Sequence, residues 1–513
     1  MFDLFLAAIF FSAGFLFLFK PKQMPSKQLP LPPGRRGWPL IGNILEIPSK
    51  DESKVYHQWS ETLHTDIFYL NLAGTDVVVL DTLEAASELL ERRSAIYSGR
   101  TRMPMVNELM GWDFSFGLMD YGNEWRQRRL LLNQQLHPTS MSQFHPHLLR
   151  IVHRMLTKFI DDPERDFLDT ARHMVGEIVM SIGYGLHVHT NDDPYITAAR
   201  DSVHILSAAL TPGKYFVDLF PILKFVPAWV PGAGFKEKAK EWKEKVLKMI
   251  DIPYAATKES MKSGVFEPSF MSLSLEKMNE GLNPELYTEQ RIKDVAGTIY
   301  SAGSDTSLST IASCVLGLLN HSNVVAKAQQ ELDRVVKPGY LPDFHDQDSL
   351  PYVTAIVKEA LRWREVAPLG VPHRLDTEDV YHGYRIPAGA MVIPNVWAIL
   401  HNEKVYPDPF KFNPDRFIKD GRLDPSIPDP ADACWGFGRR ICPGRHLAFS
   451  TVWIVIASLL TVFDIEKSVD AQGDVVEPID DVVSGIVSVP KSYKCSLKPR
   501  SEIIKNAIQA TRD

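Results

Sequence analysis

Trp435-Gly-Phe-Gly-Arg-Arg-Ile-Cys442-Pro-Gly-Arg-His-Leu-Ala-Phe-Ser450 is the stretch on which the reading of the chain turns. One cysteine stands between Gly438 and Gly444, and an apolar run of helical character begins just after it. At a helix N-terminus Cys442 feels the positive end of the macrodipole, and the neighbouring arginines act the same way, which favours thiolate over thiol. A thiolate there can ligate a metal. The plain alternative is a small buried apolar cysteine, the usual state of a lone Cys. Zinc fits poorly, because it needs several ligands and no CxxC or His pair stands nearby; His446 has no companion.

Around this loop lie 513 residues, 45% hydrophobic and 23% charged, with a net charge of −7 and four cysteines. Enough apolar side chain is present to bury a large core and too little cysteine to staple one, which excludes collagen-like, disordered and disulfide-built classes. The mild acidity argues against a nucleic-acid surface, which needs a basic patch. Phe2 to Phe19 is nearly pure apolar, with Asp3 its only charge. As a helix it reaches about 27 Å, close to the ~30 Å of a bilayer core. Signal peptide, buried helix and membrane anchor compete for it. A basic n-region and a small-residue cleavage site are lacking, and Lys20, Lys22, Lys27, Arg35 and Arg36 follow the apolar run, so the expectation is an uncleaved anchor with the rest of the chain cytosolic. Thr451 to Phe463 is apolar but short, and reads as a buried helix.

The prolines of 29–42 forbid helix and give a stiff lead. Beyond it no linker, low-complexity tract or repeat divides the chain. Strand patterns fall at Ile67 to Leu72, Val77 to Leu80 and near Tyr384 to Ile393. Helical patterns cover Ala85 to Arg92, Arg126 to Leu136, Lys236 to Ile250, Glu289 to Asn320, Val324 to Val336 and Tyr352 to Trp363. The expected architecture is mainly α with a small β portion. Two further patterns stand out. Glu359 and Arg362 share a helix face, which alone is usually a surface pair of little worth. Ala302-Gly303-Ser304-Asp305-Thr306 collects poor helix formers and could break the helix that contains it.

Gly436 to Gly444 resembles the haem-binding signature of the cytochrome P450 superfamily at Gly438, Arg440, Cys442 and Gly444. Seven residues before the cysteine the family usually has Phe; this chain has Trp435, also able to pack under the loop. The resemblance implies a cytochrome P450 fold with an N-terminal transmembrane anchor helix: 1–19 the anchor, 20–42 a basic, proline-rich lead and 43–513 a haem-binding catalytic domain. It implies that Cys442 is the axial ligand of heme b iron, where a thiolate pushes electron density onto the metal. Glu359 and Arg362, with Arg416 of Phe412-Asn-Pro-Asp-Arg416-Phe417, become a buried structural core. Ala302 to Thr306 becomes the oxygen-binding segment, with Gly303 leaving room beside the iron, the Thr306 hydroxyl locally opening the helix, and Asp305 and Thr306 delivering protons. Arg100, Trp125, Arg129, His373 and Arg440 become donors to the haem carboxylates, with Arg374 competing for the place of His373.

By the same resemblance the chain is an NADPH- and O2-dependent monooxygenase served by an NADPH–cytochrome P450 reductase, docking near Arg439 and Arg445, and by cytochrome b5. It would sit in the endoplasmic reticulum membrane by a single-pass anchor, with the sequon Asn320-His-Ser322 on the cytosolic side. The Tyr97-Ser-Gly-Arg100 and Val106 to Trp112 stretches and the Ala302 to Ser307 helix resemble fungal microsomal members of secondary metabolism. Substrate contacts are expected from Met110, Trp112, Phe114 and Phe116, from Ala302, from Val366, Leu369 and Val371, and from Ile486. All are apolar, which suits a terpenoid, polyketide, fatty or aromatic molecule, although core packing gives the same composition. A reductase-independent isomerase or dehydratase and a non-catalytic haem binder remain as alternatives; Asp305 and Thr306 weigh against the first, the full set of haem contacts against the second. Cys314, Cys434 and Cys495 read as reduced structural residues.

Overall fold

The computed structural model describes residues 29–188, 193–210, 214–479, 481–483, 485 and 487–512. The expected anchor and the start of the lead lie outside the described residues, as does Ile486. The longer helices are α1 (Glu52–Leu63), α2 (Asn123–Asn133), α3 (His145–Asp161), α4 (Phe167–Tyr184), α5 (Pro194–Ala209), α6 (Phe235–Ser263), α7 (Phe270–Asn279), α8 (Glu289–Leu319), α9 (Ser322–Val335), α10 (Pro351–Trp363), α11 (Arg445–Val462) and α12 (Glu502–Gln509). The main sheet has four strands, β1 (Ile67–Leu72), β2 (Thr75–Leu80), β3 (His373–Arg374) and β4 (Met391–Pro394), in the order β1-β2-β4-β3. β2 and β4 run parallel and the other two pairings are antiparallel. Ala73 and Gly74 turn the β1–β2 hairpin with φ of 47° and 93°, as a two-residue turn between right-twisted strands requires. β5 (Phe463–Lys467) pairs with β8 (Cys495–Pro499), and β6 (Val482–Val483) pairs with β7 (Val489–Pro490).

α8 runs through the middle of the helical body and packs against α2, α4, α5, α7, α10 and α11. Thr288 caps its start by accepting the Arg291 N–H, and from Leu308 to Leu319 every residue is buried. α4 is buried on nearly all sides, which is why it lacks the one-sided apolar stripe of a surface helix. α11 is apolar enough to cross a membrane, yet 67% of it is buried in the core. It is a core helix, as expected for 451–463. The helix expected over 85–92 divides instead into a short α segment, Leu83–Ala86, and a wider π turn, Ser87–Arg92. α6 continues past Ile250 to Ser263 with Pro253 inside it and buried.

Candidate active site

The cysteine loop hangs between a short turn and the start of α11. The Cys442 N–H donates to the Trp435 carbonyl at 2.7 Å, closing the loop on itself. Gly436 and Gly438 have φ of 76° and 55°, and a Cβ on Gly438 would stand 2.2 Å from the Leu90 carbonyl oxygen, so the position admits only glycine. Gly444 has ordinary φ and open space around it; its contribution is an N–H that the Cys442 sulfur accepts. Arg129 donates to the Ile441 carbonyl at 2.7 Å and Arg445 to the Cys442 carbonyl at 3.1 Å. The neighbouring arginines favour the thiolate as expected, but they do not decide the balance. Burial pushes the Cys442 thiol up, outweighing the Gly444 N–H and the Arg129 and Arg445 charges. A bound metal cation supplies the missing charge.

Beside the loop the fold gathers cations. Arg100 is buried and donates to the Gly117, Val371 and Pro372 carbonyls at 3.1, 2.9 and 2.7 Å. Arg440 donates to the Ser98, Phe116 and Met119 carbonyls at 2.8, 3.3 and 2.9 Å, and its guanidinium carbon lies 4.6 Å above the Trp125 ring. Burial lowers the pKa of Arg100, Arg129 and Arg440, the last to about 10, against the strong intrinsic basicity of the guanidinium. Among the described residues none of them forms an ion pair. Asp120, the acid that acts on Arg100 and Arg440, is exposed and binds the Arg100 and Tyr121 N–H groups and the Arg374 side chain instead. Arg374 is thereby paired, with Asp120 and Asp376, and leaves the interior to His373. His373 is buried with Nδ1 2.8 Å from the Tyr97 carbonyl, so Nδ1 carries the proton and donates. Burial and the nearby Arg100 and Arg440 hold its pKa well below the ordinary value. The neutral Nε2 bears a lone pair, and it donates to a carboxylate only after taking up a proton.

α8 is uninterrupted across Ala302 to Thr306, so the helix break is not found. Thr306 donates to the Ala302 carbonyl at 2.8 Å without opening the helix. Ala302, exposed, and Thr306 are four residues apart and share one open stripe. The expected role of Gly303 is corrected: a Cβ there would lie 2.9 Å from Val179 Cγ2, so this glycine serves the close approach of α4 and α8. Asp305 also faces away from the Thr306 stripe. It lines a small cavity with Arg172, Arg200 and Ser304, and burial raises its pKa against the pull of Arg172, Arg200 and His204. The buried Ser304 hydroxyl in that cavity has no partner among the described residues.

The other predicted residues divide. Glu359 and Arg362 are fully buried and joined at 2.7 and 2.9 Å; Glu359 also accepts from Arg416 at 3.2 Å and from the Asn413 N–H at 2.8 Å. Met110, Trp112, Phe114 and Phe116 are buried in the helical core, Trp112 stacks on Phe114 at 5.4 Å, and Phe114 lies on α8 where a Gly297 Cβ would be 3.1 Å from its ring. Val371 packs on the same core. Leu369 does not: it packs against the cluster of Tyr56, Phe68 and Leu70 on the sheet side. Arg439 is exposed and donates to the Tyr121 hydroxyl at 2.7 Å.

A lone cysteine on a glycine loop, beside buried and half-buried guanidiniums that form no ion pair among the described residues, fits a metal group that carries its own carboxylates. α8 packs on both α2, which bears Trp125 and Arg129, and α11. These features define a haem-thiolate protein. The family model described as Cytochrome P450 matches residues 32–497. Cytochrome P450 monooxygenase 98 of Postia placenta is 43% identical over 94% of this chain and 92% of its own length. Tryptamine 4-monooxygenase of Psilocybe cyanescens is 40% identical over 93% and 94%, and cytochrome P450 monooxygenase ple1 of Rhodocybe pseudopiperita 39% over 94% and 91%. The chain belongs to the cytochrome P450 monooxygenase family.

Proposed function

We propose that this enzyme is an NADPH- and O2-dependent monooxygenase that oxidises an uncharged, apolar small molecule of fungal secondary metabolism, a terpenoid, polyketide or aromatic compound. The observation that carries this reading is the set of unpaired arginines beside Cys442, Arg100 buried and Arg129 and Arg440 half-buried, together with the open Ala302–Thr306 stripe of α8. Heme b bound through a thiolate supplies the activation of O2 for insertion of one oxygen atom into the substrate. Cys442 would ligate the iron, the three arginines and Trp125 would hold the carboxylates, and His373 would join them only once Nε2 is protonated. The Thr306 hydroxyl, on the open stripe of α8, would serve proton delivery on the oxygen side, and the Asp305 carboxyl, its pKa raised by burial, stands on the neighbouring face of the helix as the second member of the pair. Electrons come from an NADPH–cytochrome P450 reductase, with cytochrome b5 as a second donor, on the surface carrying Arg439. Residues 1–19 anchor the chain in the endoplasmic reticulum membrane, with the catalytic domain in the cytosol.

The tryptamine named in one relative is a cationic amine. Met110, Trp112, Phe114, Phe116, Val366 and Val371 offer no carboxylate to such a cation, which favours an uncharged substrate here. Thr306→Ala tests the proton path. With reductase and a substrate found by product profiling, it should lower product per NADPH consumed and raise peroxide release. Parental coupling would move the proton path away from Thr306.

A further inference from the structure

The late hairpin β6–β7 reaches α8 next to its open stripe, and the polar contacts that hold it converge on one residue. Ser309, buried on α8, donates its hydroxyl to the Ser488 carbonyl. The Ser488 N–H in turn donates to the Val366 carbonyl at 2.8 Å. Ser309 lies seven residues after Ala302 and three after Thr306, so the three share one side of the helix. Farther along α8, Tyr493 donates to the Ala312 carbonyl at 2.7 Å. On the opposite flank, a Cβ on Gly485 would lie 3.5 Å from the Ser207 Cβ of α5. The hairpin is therefore clasped between α8, α5 and the segment that leaves α10. Among the described residues, no hydrogen bond joins the cysteine loop, the cation set or the Glu359 cluster to Ser309 or Ser488. An apolar residue at position 309 would fill the same space but leave the Ser488 carbonyl without its donor.

We propose that Ser309 is a positioning residue for the substrate: through Ser488 its hydroxyl fixes how far the Val366 wall and the hairpin stand from the Ala302–Thr306 stripe, and so sets the size and tilt of the molecule admitted there. This rests on the monooxygenase reading only in placing the substrate over that stripe. Loss of the hydroxyl lets the hairpin and the Val366 segment move apart together, because Ser488 is their shared link. A small ligand at the iron does not reach that wall; a bulky one does.

Imidazole and 4-phenylimidazole, titrated into the haem-loaded full chain and followed by the Soret shift, separate the two cases. In Ser309→Ala the imidazole affinity stays parental while the 4-phenylimidazole affinity changes by about fivefold, the scale of one neutral hydrogen bond. Ser309→Thr, which keeps the hydroxyl, restores the parental ratio. Hydrogen exchange of the haem-free chain gives an independent readout, with faster exchange at the Ser488 amide in Ser309→Ala alone. A parental azole ratio in Ser309→Ala, or an equal loss for both azoles, overturns the proposal. Should Ser309→Ala lose haem, Ser309→Cys carries the same comparison with a weaker donor. The azole ratio needs bound haem but no turnover, so its failure is distinct from a failure to form product, which would count against the monooxygenase reading.

Discussion

Two groups of buried or half-buried arginines behave in opposite ways. Arg362 and Arg416 share the Glu359 carboxylate, which also accepts the Asn413 N–H, so charge and hydrogen bonds close within the protein. Arg100, Arg129 and Arg440 donate only to backbone carbonyls and face no carboxylate at ion-pair distance among the described residues. A paired group is complete as folded. An unpaired one carries an outstanding desolvation cost that a bound anion relieves. The first therefore reads as structure and the second as a binding site, although both are arginines near the same loop.

Glu365 shows why the sign of the charge matters. Its carboxyl is buried beyond Arg362 and Oε2 finds no hydrogen-bond partner among the described residues. His401 Nδ1, 3.9 Å away, is kept neutral, its pKa lowered to about 3 by burial and Arg362. Burial raises the Glu365 pKa to about 8, so this acid escapes its cost by staying protonated. Arginine has no such escape.

The contrast can be broken in three places. Glu359→Ala leaves two guanidiniums buried together and should cost about 3–5 kcal/mol of stability, read by chemical denaturation with and without haem. A loss no larger than that of a surface substitution would remove the cluster from its structural role. Arg440→Leu should speed haem loss by about ten- to a hundredfold, while the haem-free chain loses much less stability than in Glu359→Ala. Unchanged haem retention would mean that the unpaired arginines serve something else. The third concerns pH. The folded pKa of Glu365 is raised, so its stabilisation is fully present below the ordinary carboxylate range and is lost as pH rises towards about 8, at about 1.4 kcal/mol per pH unit. Glu365→Gln should flatten that slope, and an unaltered slope would show that Glu365 ionises like an exposed acid.

Much of this was readable from the chain. The helical pattern from Glu289 to Asn320 marks α8, and the glycines around Cys442 mark a loop where a Cβ would strike Leu90. The facing of Asp305 was readable in principle, since one helical residue turns about 100° and carries it off the Ala302–Thr306 stripe. Gly303 was misread because its neighbour, Val179, is far away in sequence on α4. The state of Cys442 needed the density of protein around it, which motif spacing does not carry. Ser309 gave no signal at all, because its partner is a backbone carbonyl, which any residue at position 488 would offer.

The most direct measurement is the absorption spectrum of the reduced carbon monoxide complex of the full chain and of Cys442→Ser. The full chain should give the red-shifted Soret band of thiolate ligation, and Cys442→Ser should lose it while the Glu359 cluster keeps the fold intact. A folded, haem-loaded Cys442→Ser that retains the band would contradict the assignment of Cys442 as the iron ligand and, with it, the account of the cations gathered around it.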